Sequence, residues 1–318
     1  IITYVGWMEL KENLQRMLRD VRTVAMEFST EGQIPTVSKV DGGTIQLIEG
    51  CGPIVVSSSE LIQNFFSTWS EKAYLLHKKA AEILGKLKDA AFSCIRDGVN
   101  SGATMTEYDI QQLILKGYRK HGLVTHDPPI VAVNQNASRP HYVPTKKEHR
   151  SIKKGDLVLV DIFARLRDPE AVYADITWVG YVGKRVPGKY GKIFNIVKEA
   201  RDRAVGFIEK KFSDGEEIYG YQVDDIARKV ISDQGYGRYF IHRTGHSIDR
   251  EVHGSGVNID NLETRDRRRI VPGIGFSIEP GIYFEEFGIR SEINVYMSQS
   301  GPEITTGPIQ NLITPILK

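Results

Sequence analysis

The clearest pattern along the chain is a set of apolar, strand-like segments that each carry one acid. Leu157-Val158-Leu159-Val160-Asp161-Ile162-Phe163 and Val172-Tyr173-Ala174-Asp175-Ile176-Thr177-Trp178-Val179 predict one hairpin. Phe276-Ser277-Ile278-Glu279-Pro280-Gly281-Ile282-Tyr283 and Gly288-Ile289-Arg290-Ser291-Glu292-Ile293-Asn294-Val295 predict another, joined by a turn at Glu285-Glu286-Phe287-Gly288. A carboxylate inside an apolar run is costly unless something positive pairs with it. No Lys or Arg stands inside the first pair of strands, and only Arg290 borders the second. Metal cations are the partners these positions predict.

A pair of helices precedes each hairpin. Glu71 to Ile95 reads as a long amphipathic helix ending near Asp97-Gly98. Thr106 caps the next, with Glu107 and Asp109 at the positive end of its dipole and Gly122 after His121 as its stop. A strand at Ile130 to Val133 follows. In the second half Lys189 to Lys211 reads as a long helix broken at Asp214-Gly215. Gln222 to Gln234 reads as a shorter one stopped by Gly235, and Tyr239 to His246 leads to the second hairpin. Glu107-Tyr108-Asp109-Ile110 and Val223-Asp224-Asp225-Ile226 occupy matching places in the two halves. Two helices and a hairpin, used twice, predict an α+β fold with a pseudo-twofold axis and both hairpins at its centre.

Residues 1–70 read as part of a small α/β domain. Trp7, Leu10, Leu14, Met17 and Leu18 recur at helical spacing. Val21 to Phe28, Thr44 to Ile48 and Ile54 to Val56 read as strands, and Ser59 to Phe66 as a short helix. The expected domains are residues 1–70, part of an N-terminal domain, and residues 71–318. Because the chain begins at Ile1 rather than Met, its N-terminal end is expected to be truncated.

Composition narrows the classes. With 41% hydrophobic and 26% charged residues the chain is expected to be globular rather than disordered. A net charge of +2 gives no field that favours nucleic acid, so no nucleic-acid partner is expected. The Arg265 to Arg269 run is interrupted by Asp266 and reads as a solvated loop. Cys51 and Cys94 are too few and too far apart for a disulfide framework, which predicts reduced thiols and a cytoplasmic location. No apolar run approaches the roughly 20 residues of a membrane span, so no membrane partner is expected.

Asp161, Asp175, Glu279 and Glu292 would bring four negative charges together, and His246 a neutral nitrogen. One dication would leave these acids doubly negative; two reach neutrality and leave room for a bridging hydroxide. Oxygen-rich ligation with one imidazole suits Mn²⁺, the first expectation, or Co²⁺, Zn²⁺ or Fe²⁺. Such ions can lower the pKa of bound water from about 15.7 towards about 7. That is worth roughly 12 kcal/mol, more than one acid–base side chain supplies. Hydrolysis by metal-bound hydroxide is the chemistry predicted.

The motifs Val160-Asp161, Ala174-Asp175-Ile176-Thr177, Gly245-His246-Ser247-Ile248, Ser277-Ile278-Glu279-Pro280-Gly281 and Gly288-Ile289-Arg290-Ser291-Glu292 resemble those of the pita-bread metallopeptidases. That family includes methionine aminopeptidase, aminopeptidase P and prolidase, and the resemblance covers roughly residues 71–318. His141 in Asn134-Gln135-Asn136-Ala137-Ser138-Arg139-Pro140-His141-Tyr142, with His242 and His253, resembles the proline-specific branch. The resemblance implies a pita-bread fold, two divalent ions on Asp161, Asp175, His246, Glu279 and Glu292, and a homodimer. It also implies that His141 assists proton transfer, that His253 hydrogen-bonds the substrate carbonyl or its oxyanion, and that His242 holds the proline-side residue. Glu279 would accept a proton from the attacking water as well as bind metal. Arg290 would brace Glu292 or reach substrate.

The implied activity is cleavage of the Xaa-Pro bond at the N-terminus of peptides with proline second. Several positions depart from the pattern. The Asp161–Asp175 interval is longer than in many relatives, with Arg165-Leu166-Arg167-Asp168-Pro169 at the hairpin tip. Asp249 stands where the family has a small Gly, Gly254 where it commonly has an acid, and Val257 where many prolidases carry an Arg for the dipeptide carboxylate. The expectation therefore shifts from strict Xaa-Pro dipeptidase towards an aminopeptidase P-like enzyme. An amidase of the creatinase or ectoine-hydrolase kind, and a non-catalytic binding module on the same scaffold, are the alternatives. Tyr142 and Tyr283 read as packing residues.

Overall fold

In the computed structural model, which describes residues 1–318, the chain divides into two units, Ile1–Phe65 and Phe66–Lys318. The smaller joins helices α1 (Trp7–Leu18) and α2 (Gly42–Glu49) to two parallel strands, β1 (Thr23–Met26) and β2 (Ile54–Ser57). The segment Thr44 to Ile48, read above as a strand, is helical. Asp41 accounts for the difference, because its carboxylate accepts the N–H of Thr44 at 2.9 Å and starts the helix. That local cap outweighs the β-branched side chains of Thr44, Ile45 and Ile48.

The larger unit opens with helices α3 (Glu71–Ser101) and α4 (Glu107–His121). Ser70 caps α3 by accepting the N–H of Ala73 at 3.1 Å. The helix runs past its expected end because the left-handed stop is Gly102, at φ 74, and not Gly98. Thr106 and Asp109 form a reciprocal capping box on α4, as the Thr cap predicts. Strands β3 (Ile130–Val133), β4 (Leu157–Leu166) and β5 (Ala174–Tyr181) follow, with β4 in the middle and antiparallel to both neighbours. The second half repeats the helix pair as α5 (Gly188–Ser213) and α6 (Gly220–Asp233).

Each half has its own apolar core. Leu84, Ile95, Ile110 and Ile114 pack against Val158, Val160 and Ile162 in the first. Phe194, Ile208, Val223 and Ile231 pack against Phe276, Ile278 and Val295 in the second. Each such side chain stabilises the fold by about 2 kcal/mol on burial. Helices on one face of each hairpin leave the opposite faces of the strands to meet.

Register then decides which acids meet. Asp161 pairs with Thr177 and Phe163 with Asp175, so all four side chains share one face of the β4–β5 hairpin. The second hairpin is not two unbroken strands. Strand β6 (Gly275–Ile278) pairs with β9 (Ile293–Ser298), and β7 (Gly281–Tyr283) with β8 (Gly288–Arg290). The same register runs through both pairs, which sets Glu279 opposite Glu292 at the break between them. Pro280 has no N–H to give to a ladder. The freed backbone groups bind elsewhere: Glu279 N donates to Thr244 O at 2.7 Å, and Glu292 N to Thr177 O at 3.3 Å. The sequence reading embedded these two acids within strands; the structure puts them at the interruption, where the chain can turn both towards the first hairpin.

Candidate metal centre and substrate pocket

All nine site residues expected from the sequence line one cavity of about 500 Å³. These are Asp161, Asp175, His246, Glu279 and Glu292, with His141, His242, His253 and Arg290. Phe163, Pro128, Pro140, Val143 and Val252 supply apolar walls, while Asp127, Arg243 and Glu263 add charge. A cavity of this size, largely apolar with convergent polar groups, suits a small organic ligand.

Backbone clamps set the floor of the cavity. Ser277 exchanges two hydrogen bonds with His246: its N–H donates to His246 O and its hydroxyl accepts the His246 N–H, each at 2.9 Å. The same hydroxyl lies 3.0 Å from Glu279 Oε1. Gly245 permits the approach, since a Cβ there would fall 1.9 Å from Ser277 O. Asn294 ties the hairpins together by accepting the N–H of Asp175 at 2.8 Å. Thr177 donates its hydroxyl to Glu292 Oε2 at 2.8 Å.

Arg290 changes the charge count made from sequence alone. Its Nη2 lies 2.5 Å from Asp161 Oδ2, its Nε donates to Thr177 Oγ1 at 3.0 Å, and its Nη1 donates to Tyr283 Oη at 3.0 Å. A buried cation thus already pairs with two of the four acids, Asp161 directly and Glu279 at 3.8 Å, and reaches Glu292 through Thr177. One charge does not neutralise the group. Burial, with the other carboxylates, pushes Asp175 and Glu292 well above their ordinary range. Burial also raises Asp161, and Arg290 only partly offsets it. Glu279 is the exception: burial would raise it, but the hydrogen bond and charge of His246, with Arg290 and His242, hold it low.

Three oxygens report what the cluster lacks. Asp161 Oδ1, Asp175 Oδ1 and Glu292 Oε1 are buried and have no hydrogen-bond partner. Ligand atoms of Asp175, His246 and Glu292 all lie within 4.8 Å of one another. His246 Nε2 is 3.2 Å from Glu279 Oε1 and 3.8 Å from Asp175 Oδ2. Unpaired carboxylate oxygens converging with an imidazole nitrogen fit divalent cations of the hard or borderline kind.

The histidines differ in setting. Both ring nitrogens of His242 are occupied, Nδ1 at 2.6 Å from Arg243 O and Nε2 at 2.8 Å from Tyr283 Oη. Burial lowers its pKa to about 4, so the ring is neutral, with Nδ1 donating and Nε2 accepting. His253 stands edge-on to His246 with ring centroids 4.5 Å apart, and the nearby His246 followed by burial lowers it to about 3. His141 is exposed at the cavity wall between two anchored neighbours. Pro140 O accepts from Arg290 at 3.4 Å and Tyr142 Oη donates to buried Glu107 at 2.7 Å.

Several sequence readings need correction here. Tyr142 and Tyr283 are buried and do not line the cavity, as a packing role predicts, but each also places its hydroxyl in a buried polar network that the reading did not include. The Arg265 to Arg269 loop is not uniformly solvated, because Arg268 and Asp266 form a buried pair at 2.6 Å. Glu107, read as a helix-dipole residue, is instead a buried acceptor for Val133 N, Arg150 N and Tyr142 Oη, and Thr177, Ser277, Asn294 and Asp224 went unassigned by role. The only signal for them was a polar residue at an apolar strand or helix position.

The fold is that of a pita-bread scaffold with a buried acid and histidine cluster that could hold metal, and comparison with known proteins agrees on the fold. A sequence profile of metallopeptidase family M24 matches residues 76–299. The chain belongs to that family. It is 30% identical over 228 residues to an Xaa-Pro dipeptidase of Lactobacillus delbrueckii subsp. lactis, covering 71% of this chain and 56% of that protein. An Xaa-Pro dipeptidase of Pyrococcus horikoshii is 31% identical over 247 residues, covering 77% and 64%. The chain therefore spans less than two thirds of the length of these relatives. Among solved structures, an X-Pro aminopeptidase from Thermotoga maritima superposes with a TM-score of 0.69 at 26% identity, covering 98% of this chain and 81% of the other. A prolidase from Thermococcus sibiricus gives 0.68 at 26% identity, covering 96% and 76%. No helix is long and apolar enough to cross a membrane.

Proposed function

We propose that this chain hydrolyses the Xaa-Pro bond at the N-terminus of short peptides, in the manner of aminopeptidase P, with Xaa-Pro dipeptides among its substrates. The observation that carries this reading is the convergence of three orphaned carboxylate oxygens with His246 beneath a cavity walled by three further histidines. The dipeptidase names of the relatives favour the shorter substrates. Val257, in place of an Arg, favours tolerance of longer ones.

Asp161, Asp175, His246, Glu279 and Glu292 would hold two divalent ions, with Mn²⁺ the first choice. Bound there, such ions supply Lewis acidity towards water and the scissile carbonyl. The chain's own residues do the rest. Glu279, kept ionised by its neighbours, takes a proton from the attacking water. His253 faces the cavity beside His246 and donates a hydrogen bond to the carbonyl oxygen as its charge grows. With both nitrogens engaged, His242 offers its ring face to the proline-side residue. His141 passes a proton at the open wall towards the leaving nitrogen. Arg290 holds Asp161 and Tyr283 in place and keeps the first hairpin in register with the second.

In the same reading residues 1–70 are part of an N-terminal α/β domain, residues 71–318 are the catalytic domain, and the protein is a cytoplasmic homodimer. The test is a panel of Xaa-Pro dipeptides, longer Xaa-Pro peptides and Xaa-Ala controls, incubated with the purified chain and Mn²⁺, Co²⁺ or Zn²⁺. Release of the first residue from Xaa-Pro substrates, abolished by Glu279→Ala, is the expected result. Failure on every Xaa-Pro substrate with every metal would remove the reading.

A further inference from the structure

Two of the departures noted in the sequence meet in space, and together they point to a residue that sets the position of His253. Asp249 is buried at the root of the loop that carries this histidine. Its Oδ1 accepts the N–H of Glu251 at 2.8 Å, and its Oδ2 accepts the N–H of Ser255 at 2.8 Å. The two donors lie on either side of His253 in the chain, so one carboxylate grips both arms of the loop. Ser67 Oγ adds a longer contact to Oδ2 at 3.4 Å. The backbone of Asp249 closes the turn as well, with its N–H on Glu251 O at 3.1 Å and its carbonyl on Tyr173 N at 2.9 Å.

Gly254 is the other half of the arrangement. A Cβ on Gly254 would fall 2.6 Å from Asp249 Oδ2 and 2.9 Å from Ser247 Oγ. The carboxylate thus fills the space that a side chain at 254 would need. Gly254 N also donates to Ser247 O at 2.7 Å, which folds the residue after His253 back onto the residue after His246. That return holds the two imidazoles edge to face at 4.5 Å.

We infer that Asp249 is the positioning residue for His253: its carboxylate closes the loop 250–255 from inside and aims the imidazole into the cavity. This rests on the Xaa-Pro hydrolase reading only for its kinetic consequence; the placement of the ring can be read without turnover. Asp249 does not line the cavity, and its carboxylate bonds no member of the metal set. A neutral Asn in its place keeps one acceptor and turns an amide N–H₂ towards one of the two backbone donors, so one arm of the loop is released.

The experiment has two arms. In the first, imidazole resonances of His253 are followed by NMR, assigned by their loss in His253→Gln. Asp249→Asn and Asp249→Ala should shift or broaden the His253 signal and leave in place that of His149, an exposed ring bonded to Thr145 O on a separate turn. An unmoved His253 signal in both variants would overturn the proposal whether or not the protein cleaves any peptide. In the second, kcat and KM for an Xaa-Pro peptide are compared for wild type, Asp249→Ala, His253→Ala and the double variant, at equal bound metal. Each single change should lower kcat by about 100-fold with little change in KM. The double variant should fall no further than the worse single one, because both remove the same imidazole from its place. Multiplying losses would overturn the proposal and leave the hydrolase reading intact. A wild type that cleaves nothing would remove that reading, and the NMR arm alone would then decide. As a further check, Gly254→Ala should harm the wild type more than it harms Asp249→Gly, since the closer of its two clashes is with the carboxylate while that with Ser247 Oγ is present in both; equal harm in both backgrounds would count against it.

Discussion

Asp224 Oδ1 accepts both the N–H of Thr244, at 2.9 Å, and its hydroxyl, at 2.6 Å, two residues before His246. Arg228 closes on the same buried carboxylate through Nη2 and Nε, each at 2.9 Å, and donates to His242 O as well. In the first half Glu107 does the corresponding work. It accepts the N–H of Val133 and of Arg150 and the hydroxyl of Tyr142, beside His141. Each repeat therefore spends one buried acid, at the start of its second helix, on pinning the segment that carries site histidines.

The first prediction follows from that clamp. Asp224→Ala removes every partner at once and strands buried donors on Thr244 together with the Arg228 charge. The cost is expected to be about 3 kcal/mol, read from urea unfolding at neutral pH. Asp225→Ala, whose carboxylate meets Asn261 at the exposed surface, should cost less than 1 kcal/mol or about that. Equal losses from the two would contradict the clamp.

Arg290 gives the second. Its fork reaches Asp161, Thr177 and Tyr283 with different nitrogens, which a single ammonium cannot reproduce. Arg290→Lys is expected to lower kcat by roughly 100-fold, although the charge is kept. Full activity in the Lys variant would reduce Arg290 to a counter-charge.

How much of this was legible beforehand depends on the kind of interaction. The hairpins, the helix pairs and the acids could be read because period and apolar runs are local properties, and Thr106 and Gly122 announce their helix ends in the sequence. The helix at Thr44 was missed because a single capping bond from Asp41 decided between two states of similar propensity. Thr177 and Asn294 went unassigned because their partners lie on other elements, more than a hundred residues away for Thr177 with Glu292 and for Asn294 with Asp175. Arg290 was visible as a bordering charge, but only register shows that it faces Asp161. The break at Glu279 and Glu292 was signalled by Pro280, whose missing donor interrupts any ladder.

The third prediction concerns acid stability. His77 is buried in α3, with Nδ1 donating to Tyr173 O at 2.6 Å and Nε2 accepting from Thr305 Oγ1 at 2.6 Å. Burial lowers its pKa from 6.5 to about 4. Between those values the unfolded chain binds more protons than the folded one, so stability rises with pH across that window. The contribution is fully present above 6.5 and is lost as pH falls to about 4, a change of about 3 kcal/mol. His77→Gln should flatten that part of a stability–pH curve measured by urea unfolding. An unchanged slope would mean that other groups set it.

The central claim is that the buried acids are built for divalent cations, and direct metal counting tests it. Chain stripped by chelator and dialysed against Mn²⁺, Co²⁺ or Zn²⁺ at neutral pH should hold two ions per chain by elemental analysis, and fewer in Asp175→Asn or Glu292→Gln. At a free metal concentration of 100 times Kd, each ion should also stabilise the fold by about 2.7 kcal/mol. A chain that binds no ion above the level of the double variant Asp175→Asn/Glu292→Gln, and gains no stability from any of the metals, would contradict the account.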